Sequence, residues 1–264
     1  MDNSPRRKTR RNSTFGRRGY CRTSRLPRPA TASPLASLLS LVDTLRISAE
    51  TVALSVKGDL TEQIANERLT WWAHRVVAHA GARVRVQGLA NREDGRAYVI
   101  MSNHQSNFDV PTLYYALGPQ MRMVGKMELF KVPLFGAAMK RAGFIAVDRA
   151  DHRRAIASMD RVRDAVRRGM SIYLAPEGTR SKTGELGKFK KGGFLVAQQT
   201  GAPILPITLR GTRDVLPSHS PFPRRGIDVD VIIHPPLDVE REDDPKHARQ
   251  DLMDKTRAAI ASAM

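Results

Sequence analysis

Cysteine is nearly absent from this sequence. A single thiol, Cys21, stands among 264 residues, so no internal disulfide can form. Without paired Cys/His spacings, no metal site is expected either. Long apolar runs are missing too. The longest uncharged stretch, residues 192–209, is interrupted by Gln198, Gln199, Gly201, Pro203 and Pro206, and no segment offers the roughly 20 apolar residues that span a bilayer. The apolar stretch near Leu35–Val42 starts too late, and meets Asp43 and Arg46 too soon, to read as a secretory signal. Aromatic residues make up 6% of the chain and do not form a base-stacking pattern, so no nucleic-acid partner is expected of the folded part. These absences point to a reducing compartment and to a chain that can lie on a membrane without crossing it.

Positive charge is abundant. The net charge is +18, and about half of the excess lies in residues 1–33, where ten Arg or Lys residues face one acid, Asp2. That segment is also rich in Ser, Thr and Pro, so it reads as a disordered basic tail able to attract anionic lipid. Its Arg- and Ser-rich composition is also compatible with an organelle-targeting peptide. The remaining charge favours anionic partners generally.

Residues 34–81 read as a helical pair. Leu35, Leu38, Leu39, Val42, Leu45, Val52 and Val56 recur mostly three or four apart. A second helix is expected from Asp59, with Glu62 completing a capping box, to a stop at Gly81. The adjacent Trp71 and Trp72, near Arg68, His74 and Arg75, fit a membrane interface or a packed helix pair. From residue 82 to 264 short apolar strands alternate with helices. The order implies an α/β domain with a mixed, largely parallel sheet flanked by helices, its sites gathered at strand ends.

The densest chemistry is Asn103-His104-Gln105-Ser106-Asn107-Phe108-Asp109, after the apolar segment Ala97–Ser102 and before a helix that Asp109 is expected to cap. On one regular helix, residues five apart point about 140° from each other. His104 and Asp109 can therefore meet only across a turn, where the carboxylate would fix the imidazole tautomer and stabilise the imidazolium. Three further segments end apolar strands in charge or proline: Gly143–Arg149, Ala175-Pro176-Glu177-Gly178-Thr179-Arg180, and Ala202-Pro203-Ile204-Leu205-Pro206-Ile207.

In this order the four segments resemble the glycerolipid acyltransferase superfamily, and within it the 1-acyl-sn-glycerol-3-phosphate (lysophosphatidic acid) acyltransferases. The resemblance covers residues 84–234. Ala146 and Ala175 stand where that family commonly has aromatics, and Ala202 and Ile207 replace valines; none of these removes a reactive group. The resemblance implies a reaction in which a lysophospholipid hydroxyl attacks the thioester of acyl-CoA or acyl-carrier protein, without an acyl-enzyme and without a cofactor. His104 would be the general base and Asp109 its orienting partner, with Ser106 and Asn107 as turn residues. Arg180 would bind the acceptor's phosphate, Gly178 would let the backbone approach the ligand closely, Thr179 would join the same substrate-binding block, and Glu177 would hold Arg180 or hydrogen-bond an acceptor hydroxyl. Lys126 and Arg149 would add further cations. The expected setting is the cytoplasmic face of a membrane, with the N-terminal helical pair as the associating motif. Another lysolipid or glycerol 3-phosphate as acceptor remains open, as does a non-enzymatic anionic-lipid or nucleic-acid binding protein. Nothing in the sequence sets an oligomeric state.

Overall fold

The computed structural model of the protein describes residues 31–148, 152–240 and 243–264. The basic tail up to residue 30 and the candidate cation Arg149 lie outside the described residues. Two helices lead the chain, α1 (Pro34–Lys57) and α2 (Glu62–Ala80). There follow β1 (Arg83–Gln87), β2 (Val99–Ser102), α3 (Asp109–Leu117), β3 (Met121–Lys126), α4 (Phe135–Arg141), β4 (Ile145–Val147), α5 (His152–Arg167) and β5 (Ser171–Leu174). The chain closes with α6 (Gly192–Thr200), β6 (Ile204–Arg210), a single turn α7 (Thr212–Val215), β7 (Asp228–Ile233) and α8 (Pro245–Ala261).

The strands form one sheet in the order β1-β7-β6-β2-β5-β3-β4. Every neighbouring pair is parallel except β6 with β7, which gives the mixed, largely parallel sheet expected from the sequence. Parallel strands need crossovers, the crossovers are helices, and so both faces are covered. That is why β2 and β5 are buried at every position. Alternation still sorts their side chains. Val99, Met101, Ile172 and Leu174 join the cluster containing Phe194 and Leu252, from α6 and α8. Tyr98, Ile100 and Tyr173 face the opposite cluster with Leu113, Tyr114 and Ala73, from α3 and α2. Because β2, β3 and β5 run the same way, the turns that follow them open on one edge of the sheet.

Several local expectations change. The second helix starts at Glu62 rather than Asp59, with Thr61 as its N-cap accepting from Ile64 N–H at 3.2 Å. Asp59 is instead part of the close of α1, its N–H donating to Leu54 O at 2.9 Å after left-handed Gly58. Asp109 does not cap α3; it is the first helical residue, behind Phe108, and its side chain serves the preceding turn. The leucine stripe of α1 does not face the core. Ala36, Asp43, Ser48 and Thr51 are buried, while Leu35, Leu38, Leu41, Val42 and Leu45 are exposed. The two tryptophans also part company: Trp72 turns inward and donates to Thr44 Oγ1 at 2.9 Å, whereas Trp71 stays exposed beneath Arg46 and Arg75.

Polar contacts explain why α1 can bury its polar side. Asp43 Oδ2 accepts from Arg75 Nε at 2.9 Å and lies 2.7 Å from His79 Nε2, both on α2. Glu50 pairs with Arg46 and Arg68. Burial acts to raise the Asp43 carboxyl, but the hydrogen bonds from His79 and Arg75 outweigh it and hold the group below its ordinary range. Among the described residues no helix is long and apolar enough to cross a membrane.

Candidate functional site

The turn after β2 brings His104 and Asp109 together. Asn103 fixes where the turn begins: its amide donates to Leu209 O and accepts from Leu209 N–H, both at 2.8 Å, tying β2 to β6. The chain then folds back until Asp109 Oδ2 receives two backbone N–H groups, Gln105 at 2.9 Å and Ser106 at 3.0 Å. His104 Nδ1 lies 2.7 Å from the same oxygen. Asp109 is fully buried, so these donors replace the water its carboxylate has lost. Its other oxygen, Oδ1, is buried without a protein partner. With Nδ1 donating to Asp109, Nε2 is the ring's proton acceptor, on a side chain that stays 23% exposed. The far nitrogen of the ring is therefore left partly open at the surface while the near one is held by a buried carboxyl group.

Ser106 is not a nucleophile in this arrangement. Its hydroxyl donates to Leu216 O at 2.7 Å and accepts from Phe108 N–H at 3.0 Å, which makes it a brace of the turn, as expected. Asn107 is exposed on the same turn. Tyr173, missed in the sequence, lies under the site: its hydroxyl is 3.2 Å from Ser102 Oγ. Burial, with the negative charge of Asp109 nearby, pushes this phenol up and keeps it neutral.

Glu177 corrects the sequence reading. It does not hold Arg180. Its Oε1 accepts from His104 N–H at 2.8 Å and its Oε2 from Gly187 N–H at 2.8 Å. The residue is almost fully buried, and a buried carboxylate takes the donors within reach, here two backbone amides. A Cβ at position 187 would come within 2.7 Å of Glu177 Oε2, so the glycine permits the approach. Ser181 N–H in turn donates to His104 O at 2.7 Å. Both backbone groups of His104 are thus gripped by the segment after β5. No sequence signal marks a partnership made with backbone N–H groups.

The other predicted positions spread around this centre. Gly178 has φ +72° and closes a turn on Ala175 O at 3.0 Å. Thr179 is exposed and Arg180 half-buried; among the described residues Arg180 has no hydrogen-bond or ion-pair partner. Lys126 is exposed at the end of β3, on the same edge. An apolar cavity of about 90 Å³ lies between α1, α2, α4 and the sheet, lined by Ile47, Trp72, Met123, Met139 and Phe144 and reaching Val110, the residue after Asp109. Among the described residues no cluster of His, Cys, Asp or Glu is arranged to hold a metal ion.

Residues 83–210 match the family model described as acyltransferase. That stretch of the chain is an acyltransferase domain. It is 39% identical over 180 residues to a chloroplastic 1-acyl-sn-glycerol-3-phosphate acyltransferase of Brassica napus, covering 68% of this chain and 50% of the relative. A chloroplastic 1-acyl-sn-glycerol-3-phosphate acyltransferase of Arabidopsis thaliana is 36% identical over 183 residues, covering 69% and 49%. One from Pseudomonas aeruginosa is 38% identical over 141 residues, covering 53% of each chain. The chain thus spans about half the length of these curated relatives. The crystal structure of the 1-acyl-sn-glycerophosphate acyltransferase of Thermotoga maritima superposes with a TM-score of 0.72 at 22% identity, covering 87% of this chain and 95% of that one, so the two share a fold. The acyltransferase match takes in both segments that build the His104 turn, from β2 through the loop after β5.

Proposed function

We propose that this acyltransferase moves a fatty acyl group from a thioester donor to the free sn-2 hydroxyl of 1-acyl-sn-glycerol 3-phosphate, giving phosphatidic acid. The observation that carries the reading is the orientation of His104, with Nδ1 on a buried carboxylate and Nε2 left for substrate. Nε2 takes the proton of the acceptor hydroxyl as its oxygen attacks the thioester carbonyl carbon. A C–O bond forms, the C–S bond breaks, and the imidazolium returns the proton to the departing thiolate. Asp109 stabilises the imidazolium in between. The protein needs no nucleophile of its own, which agrees with Ser106 being occupied in the turn. The relatives' names favour this acceptor over other lysolipids and over glycerol 3-phosphate.

Arg180, unpaired among the described residues, is the first candidate for the acceptor's phosphate, with the Gly178–Thr179 backbone shaping the approach. Lys126 stands further along the edge. The cavity that reaches Val110 is lined by apolar side chains, the surroundings an acyl chain prefers. The donor assigned first is acyl-CoA, with acyl-carrier protein as the alternative. The exposed leucines of α1, together with Trp71, favour peripheral attachment to an anionic membrane.

The test supplies purified protein with labelled acyl-CoA or acyl-carrier protein, against lysophosphatidic acid, glycerol 3-phosphate and other lysolipids in parallel. Phosphatidic acid should form fastest, and Arg180→Ala should raise the acceptor KM more than it lowers kcat. Equal rates with all acceptors, or no transfer to lysophosphatidic acid from either donor, would overturn the assignment.

A further inference from the structure

The segment around the carboxyl end of β5 is dense in cations, and their contacts sort them. Arg213 donates to Lys182 O at 2.7 Å, and Arg257 to Gly187 O at 2.6 Å and Leu186 O at 2.9 Å. These two guanidiniums hold the loop. Lys190 is placed differently. Its neighbour Phe189 is buried and stacks on Phe194 with centroids 6.1 Å apart, and Lys190 N–H donates to Pro176 O at 2.8 Å. The anchored backbone lays the lysine across Gly178. A Cβ on that glycine would lie 2.9 Å from Lys190 Cε and 3.2 Å from Nζ. Among the described residues its ammonium has no hydrogen-bond or ion-pair partner.

We propose that Lys190 is a phosphate-binding cation of the acceptor site, its stem packed on Gly178 and its ammonium directed at the phosphomonoester that Arg180 also contacts. The proposal rests on the acceptor reading above and extends it to a residue from a separate segment. Position supports it. Glu177 bonds to the His104 backbone, Gly178 follows Glu177, and Lys190 covers Gly178. In the acceptor, only C2, C3 and one ester oxygen join the reacting hydroxyl oxygen to phosphorus. The phosphate must therefore sit beside the base, where this turn lies. A point charge on a flexible stem complements the planar fork of Arg180, since lysine can follow the phosphate while arginine fixes its plane. The glycine matters to both, because a side chain at position 178 would displace the lysine stem.

A phosphomonoester is also present on coenzyme A, so the test separates the two sources. Steady-state kinetics are measured for Lys190→Met, which keeps the stem, and Lys190→Arg, which keeps the charge, with Lys191→Met as a neighbouring control. Lys190→Met should raise the KM for lysophosphatidic acid on the order of tenfold, with a much smaller change in kcat and none in the donor KM. Its preference for lysophosphatidic acid over monoacylglycerol should shrink by the same factor. Lys190→Arg should recover most of the loss. An unchanged acceptor KM, or a rise in the acyl-CoA KM alone, would overturn the assignment. Titration with glycerol 3-phosphate, followed by NMR, tests the site without turnover: weaker binding in Lys190→Met supports it and equal binding refutes it. If wild-type protein binds that probe through Lys190 but transfers nothing to lysophosphatidic acid, the acyl-transfer reading fails and the phosphate site stands.

Discussion

Among the described residues, two histidine–aspartate pairs share the same separation, 2.7 Å, and have different structural settings. Asp109 is held by backbone N–H groups of its own turn, and the imidazole it holds is partly open at a sheet edge. Asp43 is held by a second side chain, Arg75, and its histidine, His79, is 9% exposed between two helices. Distance and residue type are identical. What differs is what fixes the carboxylate, which ring nitrogen meets it (Nδ1 in His104, Nε2 in His79) and how open the ring is. A carboxylate fixed by backbone can orient a base without needing another side chain. One shared between Arg75 and His79 ties two helices together.

The largest contrast should come from the histidines themselves. His104→Ala should lower turnover by about 10²–10⁴-fold, while His79→Ala should retain most activity on detergent-dispersed substrate; comparable losses in both would erase the distinction. Asp109→Asn should fall between, on the order of 10²-fold. The amide oxygen can still accept from Gln105, Ser106 and His104, so the tautomer survives, but the charge that supports the imidazolium is lost. Asp43→Asn should act on stability instead, by about 1–3 kcal/mol in denaturant unfolding, with kcat little changed.

Acid sharpens that last effect. The folded Asp43 carboxyl is depressed below its ordinary value of 3.8, so its contribution is complete above that value and is lost as pH falls through the folded one. The stability gap between wild type and Asp43→Asn should therefore close at the acid end. A gap that stays constant down to full protonation would show that the depression is not what couples α1 to α2.

The sheet and the meeting of His104 with Asp109 were legible because their signals are local. Apolar four-residue strands followed by His, Pro, Gly and charge can hardly be anything but strand ends of a parallel sheet. The turn itself was legible as well, since residues five apart cannot meet on a helix. Other features lacked a distinctive signal. Asp59 and Thr61 are both good caps, and only the closing geometry of α1 chose between them. Periodicity found the stripe of α1 but says nothing of which side faces water. Lys190 is one of several lysines in its segment, distinguished only by the glycine it lies on. Glu177 was recognised as important, but Arg180, one of the two partners offered for it, is not the one it takes, because its protein partners are amides that every non-proline residue carries.

That choice of partners has a consequence for inheritance. Glu177 grips the main chain of residues 104 and 187 and takes no account of the side chain at 104. Proline is barred from both positions, yet the histidine ring can be lost without touching either of these two bonds. A chain mutated there should still fold, still bind its ligands and still occupy the sites of its active sibling. In a cell carrying both copies it would act as a competitor rather than as a silent absence.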